Sequence, residues 1–80
     1  MKCTQYFSFI RHRPDREIIK EEWILDTIKK PIKIEIQTDG RIRKWSYIKK
    51  MGKYLRTILL EDGETVHNAF FDRSFKEKGK

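Results

Sequence analysis

Two histidines, His12 and His67, are the side chains of this sequence best suited to move protons near neutral pH. Each stands among cations. His12 lies in the cluster Arg11-His12-Arg13-Pro14-Asp15-Arg16, with Lys20 one helical turn beyond Arg16, and His67 lies opposite a segment carrying Arg56. Cleaving a phosphodiester requires a base for the 2′-hydroxyl, an acid for the leaving oxygen, and positive charge on the developing phosphorane. The residue types are present: His12 and His67 for proton transfer, Arg56 for charge, and Arg16, Lys20, Arg43 and Lys44 for holding phosphate. His12 also precedes an expected helix start, where backbone N–H groups favour an anion. Each has a plainer reading. A strand histidine facing Ile58 is an ordinary half-buried packing residue, Arg56 has Glu64 and Asp72 as partners, and Arg13 and Arg16 have Asp15, Glu17 and Glu21.

The elements that must position these groups are readable in outline. Residues 5–11, rich in aromatics, suit a short strand. Pro14-Asp15 opens a helix expected to run to about Lys30, where Pro31 ends it. Ile18, Ile24, Leu25 and Ile28 would form its core stripe, and Ile19 with Trp23 a second face for a partner. From residue 32 the period becomes two: Ile32, Ile34 and Ile36 alternate with polar residues up to Asp39-Gly40, a two-residue hairpin signal. That turn would set Ile36 against Arg43, Ile34 against Trp45 and Ile32 against Tyr47. Residues 49–53 form a loop. A second hairpin turning at Asp62-Gly63 would set Leu59 against Val66, Ile58 against His67, Arg56 against Ala69 and Leu55 against Phe70. Lys44, Arg56 and His67 would then project from the face the helix leaves uncovered, with Arg56 and His67 diagonal neighbours. Arg43 would end the core face. The expected fold is α+β: one main N-terminal helix on a mainly antiparallel sheet of three to five strands. A single domain spans 1–80, with its core at about 5–73 and a frayed basic tail at 76–80.

Composition narrows the classes. The 80 residues are 38% hydrophobic and 39% charged, with net charge +7. Residues 41–60 hold seven basic side chains and no acid, interleaved with Trp45, Tyr47 and Tyr54. That field suits a polyanion such as a nucleic acid, or an acidic protein. The single cysteine, Cys3, excludes an internal disulfide and fits a reducing, cytoplasmic setting. No zinc-ligand spacing and no glycine-rich phosphate loop occur, so no metal and no cofactor is expected. No apolar run is long enough for a membrane span, and no secretory signal is expected.

The basic residues about His12, the helix ending in Pro31 and the paired hairpins together resemble small bacterial proteins of the RelE/BrnT-like toxin superfamily. The resemblance is to the branch with a His-x-x-x-Arg signature. Here that signature reads His12-Arg13-Pro14-Asp15-Arg16, with Lys20 where another arginine is often found. The segment from Tyr54-Leu55-Arg56 to His67-Asn68-Ala69-Phe70-Phe71 is similar to the group's last hairpin, and the likeness covers roughly residues 8–75. Pro14 inside the signature, and the lack of a tyrosine near the C-terminus, depart from the pattern. The resemblance implies metal-independent RNA cleavage restrained by a small antitoxin, with His12 and Arg16 as functional positions.

The leading expectation is therefore a metal-independent endoribonuclease of toxin type, with RNA as substrate and a small acidic antitoxin-like protein as partner. Two alternatives stay open. One is a non-catalytic nucleic-acid-binding domain using Trp45 or Tyr47 as a stacking platform. The other is a protein-interaction module, or a homodimer, joined through the Ile19/Trp23 helix face.

Overall fold

A computed structural model describes residues 1–76; the rest of the expected frayed tail, residues 77–80, lies outside the described residues. Three short helices, α1 (Gln5–Ile10), α2 (Pro14–Glu17) and α3 (Glu21–Lys29), precede four strands: β1 (Lys33–Ile36), β2 (Ile42–Ile48), β3 (Lys53–Leu59) and β4 (Val66–Phe71). The strands form one antiparallel sheet in the order β1-β2-β3-β4. The α+β class and the antiparallel sheet follow the expectation; the single main helix does not.

The N-terminal segment is a helix, not a strand. Thr4 is its N-cap, its hydroxyl accepting the Phe7 N–H at 3.1 Å. A cap of this kind is worth about 1 kcal/mol. Phe7 and Ile10, three apart, are buried, while Phe9 is 74% exposed, a period that a strand cannot satisfy. The expected helix over 14–30 breaks because Lys20 is extended (φ −74°, ψ 143°) and becomes the N-cap of α3. This break resets the helical phase. Ile19 and Ile24 enter the core, whereas Ile18 is 50% exposed and Leu25 38%. Ile19 is thus no partner-facing residue, and Trp23 is half-buried with its ring 6.3 Å from that of Phe71. The expected Ile19/Trp23 partner face therefore does not form.

The first hairpin turns through three residues, Thr38-Asp39-Gly40, rather than two. Gln37 N–H bonds Arg41 O at 2.8 Å, and Gly40, at φ 91°, takes the one left-handed position. A two-residue turn would have forced Asp39 to positive φ as well. The extra residue sets Ile34 against Lys44 and Ile36 against Ile42, and a slip of one flips every β2 side chain. Ser46 and Ile48 consequently face the helices, and Trp45 and Tyr47 face away. Ser46 Oγ lies 2.5 Å from Thr27 Oγ1, both buried. Since the Thr27 hydroxyl donates to Trp23 O, Ser46 is the donor to it.

The second hairpin starts as expected, Leu59 opposite Val66, but its register shifts between Ile58 and Leu59. Beyond this β-bulge Ile58 opposes Asn68, Thr57 opposes Ala69, Arg56 opposes Phe70 and Leu55 opposes Phe71. His67 is the extra residue. The core joins Phe7, Ile10, Ile19, Ile24, Ile48, Leu55, Leu59, Val66 and Ala69 between the helices and one face of the sheet.

Candidate nucleic-acid interface

The corrected register builds a site at the β4 edge. Alternation along β3 sends Leu55, Thr57 and Leu59 into the core, so Arg56 projects from the face without helices, beside Phe70. The single turn of α2 brings Arg16 to the same ring. The guanidinium carbons of Arg16 and Arg56 lie 5.4 and 5.3 Å from the Phe70 centroid. Both distances are within cation–π range. Two of the expected site residues therefore meet, through a phenylalanine that the expected register had assigned to the core face.

Each guanidinium keeps hydrogen-bonding capacity. Arg16 pairs with Asp15, and Arg56 pairs with Asp72 at 3.5 Å, yet both Nε atoms are buried without a hydrogen-bond partner among the described residues. A buried N–H left unpaired costs about 1–3 kcal/mol, and these two lie beneath the surface, so contact with a phosphate falls to the rest of each guanidinium. Arg56 is further fixed by Trp45, whose ring centroid is 5.5 Å away. Asp72 anchors this side of the sheet by accepting from Trp45 Nε1 at 3.0 Å and Ser74 Oγ at 2.7 Å. Burial works against its ionised form. The bonds from Trp45 and Ser74 and the Arg56 charge outweigh that, and its carboxyl titrates below the usual value.

A hollow of about 260 Å³ lined by Asp15, Arg16, Lys53, Phe70 and Arg73 opens beside this pair. A second, of about 330 Å³, continues from it past Lys53, Phe71 and Arg73 to Phe75 and Lys76. Lys53 Nζ sits 5.4 Å from the Phe71 ring. Along the groove of these two hollows Arg16, Lys53, Arg73 and Lys76 outnumber Asp15 and Asp72, and Phe70, Phe71 and Phe75 wall it.

The imidazoles lie elsewhere. With Phe70 opposite Arg56, the diagonal neighbours of Arg56 are Asn68 and Asp72, so the expected Arg56–His67 pair does not form. His67 Nδ1 lies 3.2 Å from Thr4 Oγ1, and its ring stacks on Tyr6 at 5.1 Å. Burial, helped by the Arg41 charge, lowers its pKa. His12 is exposed in the turn between α1 and α2, and no described contact joins it to His67.

Lys44 is also relocated. It lies on the helix side, not the uncovered face, and its Nζ donates to Ile28 O at 2.9 Å, capping the end of α3. Arg43 pairs with Glu35 at 3.3 Å, and Lys20 Nζ sits 5.6 Å from the Trp23 ring; neither joins the groove. Trp45 is only 4% exposed, stacked on Phe75 at 5.1 Å, and cannot serve as a stacking platform; Tyr47 remains half-exposed. Sequence reasoning named Asp72 as a partner of Arg56, as observed, but missed Lys53, Phe70 and Arg73 as site residues. The run Phe70-Phe71-Asp72-Arg73 carried the only available signal, and the bulge concealed which phenylalanine faces Arg56.

No family model, curated protein or solved structure matches this chain. Among the described residues no three His, Cys, Asp or Glu side chains are grouped to hold a metal ion. No helix among them is long and apolar enough to cross a membrane.

Proposed function

We propose that this chain is an RNA-binding protein of toxin type, acting in the cytoplasm, that grips phosphates in the groove built on Arg16, Phe70 and Arg56. The observation that carries the reading is the convergence of two guanidiniums on one ring, beside Lys53 and Arg73. Such groups suit phosphate oxygens, and the arginine plane gives directed hydrogen bonds that a lysine cannot. A small acidic protein is the natural restraint on a field of this sign, and a RelE-like ancestry belongs to the same reading.

Metal-independent RNA cleavage is the second reading, favoured by the same pair: two guanidiniums at one point supply the positive charge that a phosphorane demands. His67 is engaged by Thr4 and Tyr6, and His12 stands at the surface, so binding takes precedence over cleavage. One experiment addresses both. Wild-type protein and Arg16→Gln/Arg56→Gln are titrated with single-stranded RNA across a salt series, and the same RNA is run on a gel after incubation in EDTA. Binding by the wild type, with a slope against log salt that falls by about 0.7 for each lost contact, supports the reading. An unchanged slope in the double variant removes it. Strand scission in EDTA that disappears in the double variant would raise the second reading above the first.

A further inference from the structure

β1 is an edge of the sheet, and all of its residues are exposed. Ile34 and Ile36, 54% and 74% exposed, form an apolar pair on the helix side of the sheet that α3 does not reach; Ile32, 45% exposed, precedes β1 in a bend and its N–H donates to Trp45 O at 2.8 Å. The Ile28 carbonyl, near the end of α3, is held by Lys44, which sits opposite Ile34 one strand inward. Gln37 N–H bonds to Arg41, so by alternation Lys33, Glu35 and Gln37 turn their backbone groups towards β2. Ile34 and Ile36 accordingly turn theirs outward. A free strand edge with an apolar face is a template for another strand.

We propose that this edge pairs with β1 of a second copy of the chain, antiparallel, about a two-fold axis through Ile34. The segment Lys33-Ile34-Glu35 is self-complementary in that register. Ile34 opposes Ile34 of the second copy, with its outward N–H and C=O bonded reciprocally, and Ile36 of each copy ends beside the start of the other's β1. On the other face Lys33 opposes Glu35 of the second copy, again in both directions. Other registers are worse. A shift of two residues sets Lys33 against Lys33 or Glu35 against Glu35, and an odd shift sends the two isoleucine rows to opposite faces. The charges that guard this edge against indiscriminate pairing therefore admit one symmetric partner. Pairing extends the four-stranded sheet across the axis and sets Ile34 of one copy against Ile34 of the other. The proposal stands independently of the RNA reading, because β1 and the β4 groove are opposite edges of the sheet.

The test is sedimentation equilibrium of the full chain from low micromolar to submillimolar concentration, with circular dichroism to verify folding. The wild type should show a monomer–dimer equilibrium. Lys33→Glu and Glu35→Lys, each placing like charges across the axis twice, should raise the dimer dissociation constant about ten- to a hundredfold. The double variant Lys33→Glu/Glu35→Lys restores opposite charges and should return to near the wild-type value. A wild-type chain that stays monomeric throughout overturns the proposal and leaves the edge to a strand of another protein. Dimerisation indifferent to the single variants, or a double variant no better than either, overturns it too.

Discussion

Replacing Phe70 with leucine separates a built phosphate site from a diffuse positive field, because Phe70→Leu changes no charge. The ring lies within 5.4 Å of both guanidinium carbons. Each cation–π contact at a partly exposed site is worth about 0.5–1 kcal/mol. Loss of both removes about 1–2 kcal/mol of ordering, or about 5–30-fold in Kd for RNA. Asp15 and Asp72 remain as partners, so both arginines stay near the groove but lose their common anchor. Fluorescence anisotropy with a labelled single-stranded RNA gives Kd, and a salt series gives the number of phosphates neutralised. The affinity should fall while the salt slope stays as in the wild type. An affinity within twofold of the wild type, for a variant shown by urea melting to be folded, would refute the reasoning and leave only non-specific attraction.

Other outcomes follow from the packing and the electrostatics. Leu55 is wholly buried in the core, so Leu55→Ala should cost about 2–5 kcal/mol in urea unfolding. Thr4→Val removes the cap of α1 and the His67 Nδ1 partner together, and should cost about 1 kcal/mol or more by the same assay. His67 is depressed below the ordinary imidazole value of 6.5, chiefly by burial, so the unfolded chain binds its proton more readily. Its contribution to stability is present above pH 6.5 and is lost as the pH falls through 6.5 towards the folded-state pKa. Melting temperatures of the wild type should therefore decline over that window more steeply than those of His67→Gln; parallel curves would contradict the burial of the imidazole.

The alternation of Ile32, Ile34 and Ile36 and the two Asp-Gly turns made the hairpins legible in the sequence. What was not legible was one residue in each. Asp39-Gly40 reads equally well as a two-residue turn or as the end of a three-residue one, and the choice decides whether Trp45 faces the helices. The bulge at His67 has no sequence signal at all, yet it brings Phe70 opposite Arg56 and removes His67 from that site. The α1 cap was written in Thr4 and the spacing of Phe7 and Ile10, but the strand propensity of the aromatics masked it. The break at Lys20 was equally hidden, since the residues on both sides favour helix. Charge was legible in amount and misleading in place: within the excess at 41–60, Lys44 caps a helix and Arg43 pairs with Glu35, while Lys53 and Arg56 line or adjoin the groove.

The central claim is that Arg16 and Arg56 together receive RNA phosphate, and their side chains can report it directly. The Nε–H resonances of both, followed by ¹H–¹⁵N correlation spectra during titration with single-stranded RNA, should shift saturably and ahead of other side-chain signals. Shifts confined to the β2–β3 turn at Lys49 and Lys50, with both arginine Nε–H signals stationary, would contradict the account.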